Sequence, residues 1–375
     1  MNKSKNIVFL TGTRADFGKM KPLITVVEKH ADFNAHVFVT GMHMLEEYGY
    51  TLIEVERCGF KNISTFNNHT DEATMDLTLA KTIAGFSEYI KSLSPDLIVI
   101  HGDRVEALAG AIVGSLNSVL VAHVEGGELS GTIDELLRHA TSKMSHIHFV
   151  ANREAKLRLE QMGELPETIY TIGSPDVDIM FSEALPSLEM VKSYYDIFFD
   201  TYAIAMFHPV TTEYKNMAEY AKHFVSALLK SEKNFVVVFP NNDLGSRTIL
   251  EAYRELRSNK RFKIFPSIRF EYFLSLLKSA EFIIGNSSAG VREAPYYGIP
   301  TINIGSRQSN RVVLDSIINT DYTSAKIIEG IQQIETLKIV STQVFGKGDS
   351  AKAFIDSLRM ESFWTTNHQK QFKTL

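Results

Sequence analysis

Short, almost unbroken apolar runs punctuate this chain. Each is followed by Gly, Asp or His and then by apolar residues at helical spacing. In the first half the runs fall at 7–10, 36–40, 97–100, 120–124 and 147–150; in the second, at 203–207, 235–239, 262–265, 282–284 and 301–304. Strands apolar on both faces and alternating with helices belong to parallel sheets covered on both sides. Two such series predict an α/β chain of two Rossmann-like, doubly wound domains facing a central cleft. The length of 375 residues also exceeds what one core organises well.

The break between the series lies near 175–190, where Ser174-Pro175-Asp176 and Leu185-Pro186-Ser187 hold two of only ten prolines. The expected division is a first domain at 1–175, a second at 176–355 and a tail at 356–375 that can pack back on the first. A last helix is expected at 351–359.

Composition excludes several classes. A hydrophobic share of 44% with 22% charged residues describes an ordered globular chain. The formal charge of -5 leaves no broad basic surface, so nucleic acid is not expected as a partner. Cys58 is the one cysteine, which rules out a disulfide framework and a Cys-rich zinc site and fits a reducing cytoplasm. The run at 7–10 is too short for a signal segment, and no window reaches a membrane span, so no membrane partner is expected.

In open parallel sheets, ligands sit beyond the carboxyl ends of the strands. After the first run comes Thr11-Gly12-Thr13-Arg14-Ala15-Asp16-Phe17-Gly18. It lacks GxGxxG, so no nicotinamide dinucleotide is expected; Arg14 near a helix start suits an anion. His101-Gly102-Asp103-Arg104 sends Asp103 into the cleft with Arg104 beside it, unless Asp103 merely caps a helix from Val105. His123-Val124-Glu125-Gly126-Gly127-Glu128 places a carboxylate before two glycines, which let a backbone approach a ligand. The loop after it leads to Asp134 and Glu135 in the first turn of a helix, where dipole partners are the bland reading. Asp103, Glu125 and Asp134 would then cluster at one sheet edge, raising one another's pKa values.

In the second half, Phe207-His208-Pro209 puts a histidine at the first strand's end. The sharpest segment is Gly285-Asn286-Ser287-Ser288-Ala289-Gly290-Val291-Arg292-Glu293. A helix starting there would offer free N–H groups, the Ser287 and Ser288 hydroxyls and its dipole as a metal-free diphosphate seat. Glu293 could hold ribose hydroxyls. Asn241-Asn242-Asp243 and Arg307-Gln308 lie at neighbouring strand ends. His146 and His148 alternate along a strand without a matching carboxylate or cysteine, so they read as structural, and no metal cluster is expected.

Taken together, the segments at 11–18, 39–44 (Val-Thr-Gly-Met-His-Met), 101–104, 123–135, 206–212, 239–243 and 285–293 resemble the UDP-N-acetylglucosamine 2-epimerase family over roughly 5–345. The likeness is to its hydrolysing branch, which serves bacterial sialic acid and capsule biosynthesis. The resemblance implies a GT-B-like fold in a homodimer or homotetramer. It implies conversion of UDP-N-acetylglucosamine and water to N-acetylmannosamine and UDP, with neither metal nor NAD. It implies Asp103, Glu125, Asp134 and His208 as the acid/base set. It implies Arg14, Arg104, His43, Asn241, Ile268, Phe273, Ser287, Ser288, Glu293 and Arg307 as contacts to the UDP-sugar. The non-hydrolysing branch carries Glu-Ala-Gly-Leu-Arg and Pro-Glu-Glu where this chain has Glu125-Gly126-Gly127-Glu128-Leu129 and Ile133-Asp134-Glu135. That departure favours hydrolysis. A related branch acts on a 4-acetamido-6-deoxy UDP-sugar. A non-hydrolysing epimerase, a glycosyltransferase and a non-catalytic UDP-sugar sensor compete with both hydrolysing readings.

Overall fold

The computed structural model describes residues 4–70, 74–334, 336, 337, 339 and 341–373. The chain forms two units: one of Met1–Glu128, Asp134–Ser182 and Val344–Leu375, the other of Leu129–Ile133 and Glu183–Gln343.

The first unit holds a seven-stranded sheet of β1 (Lys5–Thr11), β2 (Phe33–Val39), β3 (Ile63–Thr65), β4 (Leu97–His101), β5 (Leu120–Val124), β6 (Ile147–Val150) and β7 (Ile169–Thr171). The order is β3-β2-β1-β4-β5-β6-β7 and every pairing is parallel. The apolar runs explain this: alternate residues of one strand go to opposite faces. Ile7 and Phe9 join a core with Met20 and Ile24 of the helix Arg14–Glu28. Val8 and Leu10 join another with Phe86 and Ala111. The strand order reverses between β1 and β4, so their ends open a crevice flanked by the turns at Gly12 and Gly102.

The second unit repeats the plan with six parallel strands: β8 (Ala203–Met206), β9 (Phe235–Val238), β10 (Phe262–Phe265), β11 (Ile283–Gly285), β12 (Thr301–Ile304) and β13 (Ile317–Thr320). Their order is β10-β9-β8-β11-β12-β13. Here the reversal falls between β8 and β11, which pair Met206 with Gly285. His208 and Asn286 stand just past that point. Among the described residues no helix is long and apolar enough to cross a membrane.

Each expected run became a strand, but β3, β7 and β13 were not foreseen. All three are sheet edges, and their residues are mostly half-buried or exposed, so they carry no continuous apolar run. The boundaries also differ from those expected. The second unit begins at Glu183, and the chain rejoins the first at Val344, so the helix Ser350–Leu358 belongs to the first unit. Phe354 and Leu358 of that helix lie in the first core, and the Phe354 ring centroid is 4.8 Å from that of Phe149. Asp178 fastens its start, accepting the Ser350 N–H at 2.9 Å and the Ala351 N–H at 2.7 Å. Leu129–Ile133 goes with the second unit because Gly131 lies against the loop after β12. Its N–H donates to the Arg307 carbonyl at 3.0 Å, and a Cβ there would fall 1.9 Å from the Ser306 carbonyl oxygen.

Truncating Phe354 to Ala should therefore destabilise the first unit by roughly 3–5 kcal/mol, as for other buried Phe positions. Chemical denaturation followed in that unit checks this; a loss below about 1 kcal/mol would contradict placing this helix in the first core.

Candidate active site

The turn after β1 is built around Asp16. Its carboxylate accepts from the Gly12 N–H at 3.0 Å, the Thr13 N–H at 3.2 Å and the Thr11 hydroxyl. Thr13 completes a capping box, accepting from the Asp16 N–H at 3.2 Å. Burial raises the Asp16 pKa, although these bonds pull it down. The cap sets Arg14 at the first helical position. Gly12 is required because a Cβ would lie 2.9 Å from the Glu106 side chain.

His43 does not fit its expected part as a substrate contact. It is fully buried, with Nε2 3.0 Å from the Thr11 hydroxyl and Nδ1 2.7 Å from the Thr51 hydroxyl. Burial pushes its pKa down to about 3. It is a neutral brace behind the β1 turn.

Asp103 is not a helix cap. That place falls to Arg104, which makes no side-chain cap bond and instead sets Nε 3.3 Å from the buried Glu106 carboxylate. Asp103 accepts from Arg138 Nη2, and the same nitrogen stands 3.6 Å from Glu125 Oε1. Glu125 Oε2 takes Lys19 Nζ at 3.1 Å and lies 3.1 Å from His101 Nε2. Lys19 also stands 3.8 Å from Asp176. The Glu125 backbone is left-handed (φ 71°), uncommon without a glycine and a form of strain that functional sites retain. Its N–H is anchored to the Phe149 carbonyl at 3.0 Å.

Arg138 is the hub. Its side chain is fully buried, and burial opposes its charge. Asp103, then Glu125, Glu128 and Asp134, outweigh that penalty and raise its pKa. Asp134 lies one turn before it on the helix Ile133–Met144. The carboxylates thus do not simply face one another, as expected; Arg138 and Lys19 are set among them. Asp103 is the more accessible, its side chain 24% exposed against 5% for Glu125.

Lys19, His101, Arg138 and Asp176 are members of this centre that the sequence alone did not single out. The available signals were a lysine among the buried residues Phe17 to Met20 and an arginine four residues after Asp134. His148, contrary to expectation, does have a carboxylate partner: its Nε2 is 2.9 Å from the buried Glu164.

In the second unit, Asn286 is the clasp. Its Oδ1 accepts the His208 N–H at 2.6 Å, and its Nδ2 donates to the His208 carbonyl at 2.8 Å. Its own carbonyl accepts Gln308 Nε2 at 2.9 Å and Arg307 Nη1 at 3.3 Å. Gly285 (φ 133°) makes this possible, since a Cβ would lie 1.9 Å from the Met206 carbonyl oxygen. The Asn241 N–H donates to His208 Nδ1 at 3.0 Å. Because Nδ1 accepts, the neutral ring carries its proton on Nε2.

The helix expected to start at Ser287 is split into two short pieces. Ser287 caps a single turn, Ser288–Gly290, and only Glu293–Tyr296 follows as α-helix. Gly290 packs on Thr301, whose hydroxyl donates to the Gly290 carbonyl at 2.6 Å, and this breaks the run. A macrodipole needs a longer helix, so the seat reduces to backbone N–H groups and hydroxyls. The structure brings His208, Asn241, Asn286 and Arg307 together. Ile268, Phe273 and Glu293 are buried in the same unit. Among the described residues no group of three or more His, Cys, Asp or Glu could hold a metal.

Two parallel α/β units with polar groups at each switch point give a GT-B-like fold. The profile of the UDP-N-acetylglucosamine 2-epimerase family matches residues 25–359, and the chain belongs to that family. It is 50% identical over 372 residues to the UDP-N-acetylglucosamine 2-epimerase of Neisseria meningitidis serogroup B, covering 98% of both chains. It is 31% identical to the UDP-N,N'-diacetylbacillosamine 2-epimerase (hydrolyzing) of Legionella pneumophila, covering 93% of this chain and 94% of that one. The structure of the Methanocaldococcus jannaschii UDP-GlcNAc 2-epimerase in complex with UDP-GlcNAc and UDP superimposes with a TM-score of 0.82 at 24% identity, covering 94% of this chain and 99% of that one. At that identity the likeness establishes the fold.

The buried histidines set a pH limit. Burial lowers the pKa of both His43 and His123 to about 3, so each takes up a proton near pH 6.5 when unfolded and only near 3 when folded. Stability is fully present above about 6.5 and is lost as pH falls toward 3. The thermal midpoint should drop steadily over that window; a midpoint flat from pH 7 to 4 would contradict two neutral buried histidines.

Proposed function

We propose that this protein is a hydrolysing UDP-N-acetylglucosamine 2-epimerase, converting UDP-N-acetylglucosamine and water to N-acetylmannosamine and UDP for sialic acid synthesis. The observation that carries this reading is the centre where one buried Arg138 serves both Asp103 and Glu125. Family membership supports it, and so does the Legionella relative whose name specifies hydrolysis. The departure at Glu125-Gly126-Gly127-Glu128-Leu129 points the same way.

The C2–H of the sugar is only weakly acidic, so cleavage at C1 leads. The C1–O bond breaks with its electrons leaving on UDP, and Arg14, Arg307 and the Ser287 and Ser288 groups stabilise the diphosphate charge. A carboxylate takes the C2 proton, forming the C1–C2 double bond of 2-acetamidoglucal. Water then adds its hydroxyl to C1 while an acid delivers a proton to the opposite face of C2. The accessible Asp103 and the first-turn Asp134 are assigned the proton transfers at C2. Glu125, enclosed by Lys19, His101 and Arg138, holds those groups in position. His208 carries its proton on Nε2 and so serves as donor to the departing diphosphate rather than as the first base. No metal or nicotinamide takes part.

A second reading keeps the chemistry and changes the sugar to a 4-acetamido-6-deoxy UDP-sugar; the Legionella relative's name favours it. Incubating the purified protein with either sugar nucleotide, in EDTA and without an acceptor, decides. The proposal expects UDP release from UDP-N-acetylglucosamine. Release only from the 4-acetamido substrate would move the assignment to the second reading, and dependence on an acceptor would overturn both.

Asp103→Asn should lower kcat by about 10²-fold or more, the usual size of an acid/base effect, with KM changed far less. Wild-type turnover in this variant would remove Asp103 from the acid/base set.

A further inference from the structure

We propose that Lys370 is a positioning residue for the carboxylate centre, latching the C-terminal end of the helix that carries Asp134 and Arg138. Its turnover arm rests on the function proposed above; its structural arm does not.

The last carbonyls of the helix Ile133–Met144 carry partial negative charge, and that of Ser142 also accepts the Ser145 N–H at 3.0 Å. Lys370 Nζ collects them, donating to Ser142 and Lys143 at 2.9 Å each and to Ser145 at 2.5 Å. It also stands 2.6 Å from Glu164 Oε2. The Glu164 side chain is 1% exposed and further takes Lys143 at 2.7 Å and His148 Nε2 at 2.9 Å. The half-buried ammonium thus joins these carbonyls to the buried Glu164–His148 pair.

The surrounding tail is tied on both sides of Lys370. His368 Nδ1 is 2.7 Å from the Ser118 carbonyl, and its own carbonyl is 3.0 Å from His146 Nε2. Phe372 lies under Lys143 at 4.6 Å and fills the space where a Cβ on Gly163 would stand. The Lys373 N–H donates to the Gly163 carbonyl at 2.9 Å.

From this latch a short chain of bonds reaches the site. Ser142 is one turn after Arg138 on the same helix face, and both are buried. Its hydroxyl is 3.0 Å from His123 Nδ1, and His123 Nε2 is 2.8 Å from the Gly102 carbonyl. Gly102 adjoins Asp103, and His123 stands two residues before Glu125. A shift of the last helical turn is therefore felt at Arg138 and at both carboxylates it holds.

The test compares full-length wild type with Lys370→Met, Lys370→Gln and Lys370→Arg. It reads hydrogen exchange over 133–144 together with kcat and KM for UDP-N-acetylglucosamine. Lys370→Met should speed exchange at 133–139, beyond the tail itself, and lower kcat on the order of tenfold or more, because ångström misplacements are costly at reacting centres. KM should stay within about twofold, since the positioning acts at the reacting centre rather than on substrate binding. Lys370→Arg, which keeps the charge and several donors, should recover most of both changes. If Lys370→Met fails to fold, Lys370→Gln carries the same comparison. Faster exchange confined to 366–373, or unchanged kcat despite a lower thermal midpoint, would make Lys370 a merely structural anchor and overturn the proposal. A wild type inactive on this substrate defeats the functional reading instead, and exchange at 133–139 alone then decides the latch.

Discussion

A guanidinium taken wholly out of water is the constraint around which the first unit is arranged. Burying an ion costs several kcal/mol unless close opposite charges and hydrogen bonds offset it. Arg138 meets that requirement with Asp103 and Glu125 and with the nearby charges of Glu128 and Asp134. Those groups come from the end of β4, the end of β5, the loop beyond it and the first turn of the next helix. Each must be in place before the charge is tolerable, so correct folding of the sheet edge and assembly of the site are one event. The same reasoning explains Lys19, whose ammonium reaches the Glu125 carboxylate and approaches Asp176.

Both units use one topological device. Where strand order reverses, neighbouring strand ends diverge and expose backbone and side-chain groups that a packed sheet would cover. In the first unit this frames Arg14 and Asp103; in the second it frames His208 and Asn286. The second site is rich in backbone N–H groups and hydroxyls, with the Arg307 guanidinium beside them, a combination suited to an anion. The first is crowded with ionisable groups, as proton transfer requires.

Much of this was legible because parallel strands must be apolar on both faces. The runs at 7–10, 97–100 and 120–124 announce β1, β4 and β5, and the residues after them hold Arg14, Asp103 and Glu125. The edge strands β3, β7 and β13 lack that signature, although the edge strand β10 carries it. The motif position of His43 does not reveal that Thr11 and Thr51 occupy both of its ring nitrogens. At Ser287 the serines, small residues and Glu293 mimic the cap and first turn of a helix. The tight contact of Gly290 with Thr301, which breaks the run, exists only in the folded sheet. Arg138 lay in view as an ordinary helical arginine. Its role depends on which strand ends surround it, and that information is tertiary.

The central claim is that the charges gathered around Arg138 serve proton exchange at C2 coupled to loss of UDP. Proton NMR of the protein with UDP-N-acetylglucosamine in D2O, without metal or acceptor, tests it most directly. The account predicts free UDP and N-acetylmannosamine carrying deuterium at C2 in the same spectrum. Release of UDP with the original C2 proton and configuration intact would contradict it, because the carboxylates would then have no proton to move.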